Sequence, residues 1–423
     1  MTPRTRGFAT ALILFAGLIL ISTEASAWGA KKQTDSSQQQ PKQSLSPKVG
    51  TALLAAQEAI QKQDWEGAYA KVQTAQAVPD QTPYDKFQIA EMLGYVELKR
   101  QKYAEACAAF EESLASGLLP SAETLDRTKL VAQLALQLKD FPKAAQYAAK
   151  GVELAPNPDP ELYAVLGQAQ YLAANYKAAA DAMGHAVDAA RKVGKPVSEN
   201  WLQVQLSAYA QNKDAAGVFT VLQQLSIAFP KKKYLVDLFN QWKRDESDDR
   251  SLLNLYRLMF QLGMLDDADD YLRLAQLAVS TGMPGEAVSV LEKAKADRVF
   301  KDEVSAERAR RQLEAARTAA VADRKALQAM EQATGERSAE DDVQLGLAAM
   351  SFGDYARAVQ AFQGGLAKGS VKRTDQAQLL LGEALLKLNR TADAKAAFAS
   401  VDAASKLKTI AQLWNAYTTQ PVE

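Results

Sequence analysis

The sequence predicts an all-α protein in which pairs of helices repeat along most of its 423 residues. Glycine and proline, which interrupt helices, occupy only 22 and 14 positions, fewer than in an average globular chain. Alanine-rich segments recur at intervals of 32 to 39 residues, a spacing typical of helical repeat arrays. Within these segments the apolar positions follow the period of an α-helix and not that of a strand.

Each repeat is marked by a small or aliphatic residue that we call the anchor. The ten anchors, in chain order, are Ala68, Ala106, Ala144, Ala179, Val218, Leu252, Ala287, Ala326, Ala358 and Ala394. The residue four positions after each anchor is uncharged, and the residue seven positions after it is nearly always small or apolar. These positions lie on one face of an α-helix, so each anchor predicts the second helix of a pair.

Twelve residues before most anchors stands a small residue, such as Gly346, which predicts the first helix of the pair. Small residues on both helices let the two backbones approach closely, and the larger side chain four residues after the anchor fills the remaining space. The repeat of Leu252 has Asn240 at the small-residue position. The repeat of Ala326 has Glu314 there, so we expect these two repeats to be distorted.

The last two repeats carry the residues by which the chain resembles a known family. They are Leu345-Gly346, Gly353-Asp354-Tyr355, Ala358 and Phe362, followed by Leu381-Gly382, Ala394 and Phe398. This pattern resembles the tetratricopeptide repeat (TPR). The resemblance implies an α-solenoid of about ten TPR-like helix pairs that form a right-handed superhelix and end in a C-terminal capping helix.

The N-terminal segment predicts export. Residues 1–27 combine a basic start, an apolar stretch from Phe8 to Ile21 and the small residues Ala25-Ser26-Ala27, as in a cleavable signal peptide. The apolar stretch is shorter than the roughly 20 residues that span a bilayer, so a retained membrane anchor is the weaker alternative. We therefore expect a periplasmic protein with no integral membrane span in its mature chain.

Three further segments follow the signal peptide. Residues 28–48 are rich in Gln, Ser, Lys and Pro and are expected to form a flexible linker. The TPR-like superhelical array is expected over residues 49–402. Residues 403–418 predict an amphipathic helix that caps the last repeat.

Composition excludes several classes of function. The 50 basic residues balance the 50 acidic ones, so no net charge attracts nucleic acid. The chain has one cysteine, Cys107, and one histidine, His185, too few for a Cys/His metal site or a disulfide framework. We expect Cys107 to be buried in helix packing and His185 to be structural or at the surface. The sequence therefore predicts no enzyme, no cofactor and no metal.

We interpret the charged clusters as structural features of the helices and not as calcium-binding sites. Acidic clusters at 245–249, 266–270 and 340–342 lack calcium-binding spacing, and we expect them to cap helices. The basic residues between Arg308 and Lys325 alternate with carboxylates, a pattern typical of an ion-paired helix face. A docking patch for an acidic partner is the alternative interpretation of this basic run.

The first helices of the stacked pairs are expected to line one concave groove, which is the candidate binding site. Its candidate residues are positions on first helices that do not face their own partner helix: Tyr95, Lys99, Gln133, Gln137, Gln168, Tyr171, Gln203 and Gln211. Glutamine and tyrosine can hydrogen-bond to a peptide backbone and offer aromatic area. The competing interpretation is that these residues are simply solvated.

Two segments are similar to exported TPR proteins that accompany TonB-type energy-transduction systems of Gram-negative bacteria. They are Glu199-Asn200-Trp201 with Phe229-Pro230-Lys231-Lys232-Lys233-Tyr234, and Lys372-Arg373-Thr374-Asp375 with Leu379-Leu380-Leu381-Gly382. This similarity implies a protein partner in TonB-dependent transport. The similarity does not identify any residue of this chain as a binding residue.

The sequence as a whole favours a non-catalytic periplasmic scaffold or adaptor whose groove binds segments of cell-envelope proteins. An envelope-assembly factor for outer-membrane, cell-wall or polysaccharide machinery is the alternative. A hydrolase that uses carboxylates in the groove is a third hypothesis, but the sequence indicates no particular carboxylate as its catalytic residue.

Overall fold

A computed structural model of the protein describes residues 44–244, 249–332 and 336–418, which fold into α-helices without any strand. The helices, in chain order, are α1 (Pro47–Gln61), α2 (Trp65–Gln76), α3 (Pro83–Lys99), α4 (Tyr103–Ala115), α5 (Ser121–Gln137), α6 (Phe141–Leu154), α7 (Pro160–Leu172), α8 (Tyr176–Lys192), α9 (Glu199–Gln211), α10 (Ala215–Ala228), α11 (Lys232–Trp242), α12 (Asp249–Gln261), α13 (Ala268–Ser280), α14 (Pro284–Ala296), α15 (Glu303–Gln332), α16 (Ala339–Ser351), α17 (Tyr355–Lys368), α18 (Thr374–Lys387), α19 (Thr391–Ala399) and α20 (Lys408–Thr418). No helix in these ranges has both the length and the hydropathy of a bilayer span.

The predicted all-α fold of stacked helix pairs is confirmed. The expected signal peptide, at 1–27, and the expected linker up to residue 43 lie outside the described residues. Helix α1 begins at Pro47, two residues before the expected start of the array.

Short turns join the two helices of a pair. In the first turn Gln63 adopts a left-handed φ of 58°, which ends α1, and the Asp64 side chain then accepts a hydrogen bond from the Gly67 N–H at 2.9 Å. Gly353, with a φ of 78°, and Asp354 hold the same places between α16 and α17. An aspartate in this position caps the exposed N–H groups of the second helix. The chain thus reverses within a few residues, and the paired helices lie antiparallel.

The predicted close crossing is present in the pairs α3–α4, α7–α8, α16–α17 and α18–α19. The anchors Ala106, Ala358 and Ala394 are fully buried. A Cβ atom added to Gly346 would lie 2.7 Å from the Phe362 ring, which is closer than carbon atoms can approach. The same holds for Gly94 against Phe110, Gly167 against Met183 and Gly382 against Phe398.

Residue size is balanced across the crossings. Where the first helix contributes Gly, the second contributes Phe or Met. Where the first helix contributes Ala, the partner is smaller or aliphatic: Ala132 packs in one cluster with Ala148, and Ala275 in another with Leu291. At the packing density of a protein interior, a bulky side chain fits on one helix only where the facing residue is small.

The repeat predicted around Ala326 is wrong. Glu314 and Ala326 lie in the same helix, α15, which runs unbroken for 30 residues, and Ala326 is exposed. The segment from Glu303 to Gln332 contains no Gly, Pro or Asn and is rich in Ala, Glu, Gln and Arg, so nothing in it ends the helix. The described chain therefore contains nine helix pairs together with the single helices α15 and α20.

The repeat of Leu252 is distorted, as expected. Asn240 is exposed instead of lying at a crossing, and aromatic side chains separate α11 from α12. The rings of Phe239 and Tyr256 meet edge-on with their centroids 4.8 Å apart. Without a small residue at the contact, the two helix axes cannot approach as they do in the other pairs.

The last helix packs against distant parts of the chain. Helix α20 contacts α18 and α19, next to it in sequence, and also α10 and α12. The Trp414 Nε1–H donates a hydrogen bond to the Asn254 carbonyl oxygen at 3.1 Å, and the Tyr417 hydroxyl donates one to the Lys231 carbonyl oxygen at 3.0 Å. One large apolar core consequently joins α10 to α14 with α16 to α20, whereas the pairs from α3 to α9 share smaller clusters.

A matched pair of substitutions tests the assignment of the crossings. Ala358→Trp should overfill the α16–α17 crossing and lower the free energy of unfolding by roughly 1 to 3 kcal/mol. Ala326→Trp, on the exposed face of α15, should change it by less than about 0.5 kcal/mol. Urea denaturation followed by circular dichroism measures both. Equal effects of the two substitutions would contradict the assignment.

Candidate functional site

The eight candidate groove residues lie on α3, α5, α7 and α9, the first helices of four successive pairs. First helices of successive pairs pack on one another, as α5 does on α7 and α7 on α9. Five of the candidates are exposed: Lys99, Gln133, Gln137, Gln168 and Gln211. Tyr95, Tyr171 and Gln203 are half-buried.

The two tyrosines are held by aromatic neighbours. The Tyr95 ring meets Trp65 of α2 edge-on at 6.2 Å between centroids, and the Lys99 ammonium lies 5.5 Å from the Tyr95 centroid. Tyr171 packs edge-on against Tyr176 of α8 at 5.6 Å. The expectation that Tyr171 does not face its own partner helix is therefore wrong, because the short turn after α7 brings Tyr176 against it.

Gln203 is engaged in a polar network that links α9 to α11. Its Nε2–H groups donate to the Tyr234 hydroxyl oxygen at 2.6 Å and to Glu199 Oε1 at 3.1 Å. Glu199 also accepts hydrogen bonds from the Tyr234 hydroxyl and, at 2.9 Å, from the Lys231 ammonium. Burial alone would raise the pKa of Glu199, but these hydrogen bonds outweigh it and lower that pKa.

The remaining glutamines form a row on the exposed face of the first helices. Within the described ranges, the main packing of α1 to α9 is with helices adjacent or next-but-one in sequence. No long-range helix comparable to α20 is among those contacts. Gln133, Gln137, Gln168 and Gln211 therefore stay accessible along this face.

The lone cysteine and histidine occupy different environments. Cys107 is buried in the α3–α5 packing, as expected, and burial raises the pKa of its thiol. His185 is exposed on α8, with its ring 5.5 Å from that of Tyr163. In the ranges that the structure describes, no three side chains of the Cys, His, Asp and Glu type lie together as metal ligands could.

The charged clusters mostly cap helices and form ion pairs. Asp267 caps α13, and Asp341 forms a reciprocal capping box with Ser338 at the start of α16, so the expected capping role is confirmed for these two residues. Asp270 and Asp342 of the same clusters are instead buried and form ion pairs, Asp270 with Lys243 and Asp342 with Lys368. Residues 245–248 of the other cluster lie outside the described residues. On α15, Arg308 pairs with Asp269 at 2.7 Å, which fits the expected ion-paired face.

The second half of the chain contains a charged cluster, largely buried, that the sequence patterns did not predict. Arg257 on α12 forms two parallel hydrogen bonds to Glu286 on α14, at 2.7 and 2.6 Å, and a third to the Asn254 side-chain oxygen at 2.9 Å. Glu383 on α18 is 3% exposed, and its Oε1 has no hydrogen-bond partner among the described residues. Burial raises the pKa of Glu383 to about 8.

A sequence signal for this cluster exists. Glu383 interrupts the apolar run from Leu379 to Leu386, and Arg257 stands among the apolar residues of α12. A single charge inside such a run marks a buried ionisable group, although the sequence does not show which groups meet.

Comparisons with known proteins add little to this description. No family model matches the chain, and no curated protein matches it significantly. Among solved structures, MamA from residue 41 to its end, from Desulfovibrio magneticus RS-1, is 16% identical and gives a TM-score of 0.32 over 48% of this chain and 100% of its own. A tetratricopeptide repeat protein from Parabacteroides merdae is 13% identical, with a TM-score of 0.32 over 80% and 100% of the two chains. PilF of Pseudomonas aeruginosa is 15% identical, with a TM-score of 0.26 over 44% and 94%. Similarities this low carry no conclusion about function.

The buried carboxyl of Glu383 predicts a pH-dependent stability. Because its pKa is higher in the folded chain than in the unfolded chain, the folded state retains a proton that the unfolded state releases. The free energy of unfolding should therefore fall, relative to Glu383→Gln, by up to about 1.4 kcal/mol for each pH unit between about 5 and 8. Urea denaturation of both proteins at pH 5, 6.5 and 8 measures the difference, and a constant difference would contradict the burial of an unpaired carboxyl.

Proposed function

We propose that this chain is a non-catalytic scaffold that binds a segment of a partner protein along the first helices α3, α5, α7 and α9. The observation that carries the proposal is the row of exposed glutamines on neighbouring first helices, which the long-range packing of α20 does not reach. Arrays of helix pairs present such faces as extended binding surfaces.

The chemistry of the row suits a peptide segment. A glutamine amide both donates and accepts hydrogen bonds, so it can pair with the N–H and C=O groups of an extended backbone. Tyr95 and Lys99 add an aromatic surface and one positive charge at one end of the row. The eight candidate residues include no carboxylate, histidine, serine or cysteine, so they can form neither a pair of catalytic carboxylates nor a Ser-His or Cys-His arrangement.

The cellular setting of the proposal rests on sequence alone. The signal-like residues 1–27 favour a periplasmic location. The similarity of the segments around Glu199 and Lys372 to TPR proteins of TonB systems favours a partner in TonB-dependent transport. An envelope-assembly partner is the second outcome that the experiment below distinguishes.

Site-specific photo-crosslinking in cells that produce the full chain tests the proposal. A photoreactive amino acid is placed at Gln133 or Gln168 in the row, or at the exposed Lys177 on the second helix α8 as the control. The adducts are identified by mass spectrometry. Both row positions should crosslink to the same segment of one envelope protein, and Lys177 should not.

The identity of the adduct separates the alternatives. A TonB, motor or receptor component supports the transport role, and a component of outer-membrane, cell-wall or polysaccharide machinery supports the assembly role. If the photoreactive residue at Lys177 crosslinked as strongly as those in the row, binding along the first helices would be contradicted. The same would follow if the crosslinked adducts contained no partner protein.

A further inference from the structure

A cavity of about 790 Å³ lies in the second half of the chain, apart from the row of glutamines. Helices α12, α14, α15, α18 and α20 and the turn between α16 and α17 surround it. Its volume is within the range of pockets that enclose small organic ligands.

The close approach of two of these elements forms one wall. The Gly285 N–H donates a hydrogen bond to the Ser351 hydroxyl at 2.9 Å, and a Cβ on Gly285 would lie 2.5 Å from the Ser351 carbonyl oxygen. The absence of a side chain at Gly285 therefore allows α14 to contact the end of α16. The apolar and aromatic part of the remaining lining includes Phe260, Met283, Val290, Met350, Phe352 and Trp414.

The buried Arg257 and the half-buried Glu286 at the cavity form an ion pair. The Arg257 guanidinium donates two short hydrogen bonds to the Glu286 carboxylate, so the two charges compensate each other. Glu383 lines the same cavity and is more than nine-tenths buried, yet its Oε1 has no partner among the described residues. An unpaired buried carboxyl oxygen costs stability, and a ligand that bonds to it removes that cost.

The rest of the charged lining is mainly positive. Lys387, one helical turn after Glu383, contacts the Gln261 side chain, and its ammonium lies 5.9 Å from the Tyr355 ring centroid. The Arg324 guanidinium lies 4.4 Å over the Phe352 ring, and Lys325 is exposed beside it. In the described part of the chain none of these three cations forms an ion pair with a carboxylate.

The remaining ionisable groups in the cavity lining do not cancel this charge. Arg317 of α15 pairs with Glu292 of α14 at 2.7 Å, as Arg257 does with Glu286. Tyr355 stays neutral, because burial raises the pKa of its hydroxyl. With both ion pairs neutral, Lys387, Arg324 and Lys325 give the cavity a positive field.

We propose that this cavity binds a small amphiphilic carboxylate, with its apolar body against the aromatic and methionine walls and its carboxylate between Glu383 and Lys387. The Glu383 carboxyl donates a hydrogen bond to one carboxylate oxygen of the ligand. The Lys387 ammonium donates to the other, and Arg324 and Lys325 attract the anion to the opening.

The arrangement makes binding depend on pH. Burial raises the pKa of Glu383 to about 8, so at pH 6.5 this carboxyl is protonated and acts as a donor. At higher pH it ionises and repels the ligand carboxylate. The affinity should then fall about tenfold for each pH unit above that pKa, because one proton is taken up on binding.

Isothermal titration calorimetry of the full chain with decanoate tests the proposal. We expect one saturable site at pH 6.5, at least about tenfold weaker binding of decanol and decylammonium, and weaker decanoate binding at pH 9. Glu383→Gln retains an amide donor and should reduce the loss of affinity at pH 9; the remaining loss comes from Lys387, because burial lowers the pKa of its ammonium. Lys387→Gln should weaken decanoate binding at least about fivefold at both pH values.

A steric pair of variants separates a folding defect from loss of the site. Ser289→Trp, at an exposed position of the cavity lining, should block decanoate binding, whereas Thr220→Trp, exposed on α10 outside the lining, should not. Matching circular dichroism spectra show that both variants are folded. Absence of decanoate binding at pH 6.5, binding of decanol as tight as that of decanoate, or unchanged binding by Ser289→Trp would each overturn the proposal.

Discussion

The contact between a residue with little or no side chain on one helix and a bulkier side chain on the next determines how this array is built. Gly346 against Phe362 and Gly382 against Phe398 leave no room for one additional carbon atom. In the α13–α14 pair, Ala275 packs in one cluster with Leu291, so the residue on the first helix is larger and the residue on the second helix is smaller than in the Gly–Phe pairs. Where a pair is closed in this way, its outer faces are left to pack on neighbouring pairs and to contact other molecules.

The two halves of the described chain differ where this contact is lost. In α11 and α12 the rings of Phe239 and Tyr256 take its place, and α15 has no partner of its own repeat. Helix α20 packs on α10 and α12 in this region, and the resulting core leaves a charged cavity. The first half keeps the regular contact, and its first helices expose a row of glutamines. The proposed protein-binding and ligand-binding roles therefore belong to different parts of the chain.

Much of the fold was predictable because it depends on local spacing. A small residue, an anchor and a larger residue at fixed separations define a pair without knowledge of the rest of the chain. The single helix α15 was not predicted, because the residues around Ala326 have the spacing of a repeat. Glu314, at the small-residue position of that repeat, is charged and could not form a close helix crossing.

The contact between Trp414 and Asn254 joins residues 160 positions apart, and the cluster of Arg257, Glu286 and Glu383 is formed by three separate helices. Local patterns do not contain that information. Of the candidate groove residues, Gln203 and Tyr171 are engaged in contacts that depend on helix ends and turns, which the repeat spacing does not specify.

A double-mutant cycle at one crossing measures the central contact directly. In the natural background Gly346→Ala should lower the free energy of unfolding by roughly 1 to 3 kcal/mol, because its Cβ would overlap the Phe362 ring. In the Phe362→Leu background, which reproduces the Ala275–Leu291 combination, the same substitution should be neutral or stabilise by up to about 1 kcal/mol, the helix propensity gained from Ala. Equal effects of Gly346→Ala in the two backgrounds would contradict the account.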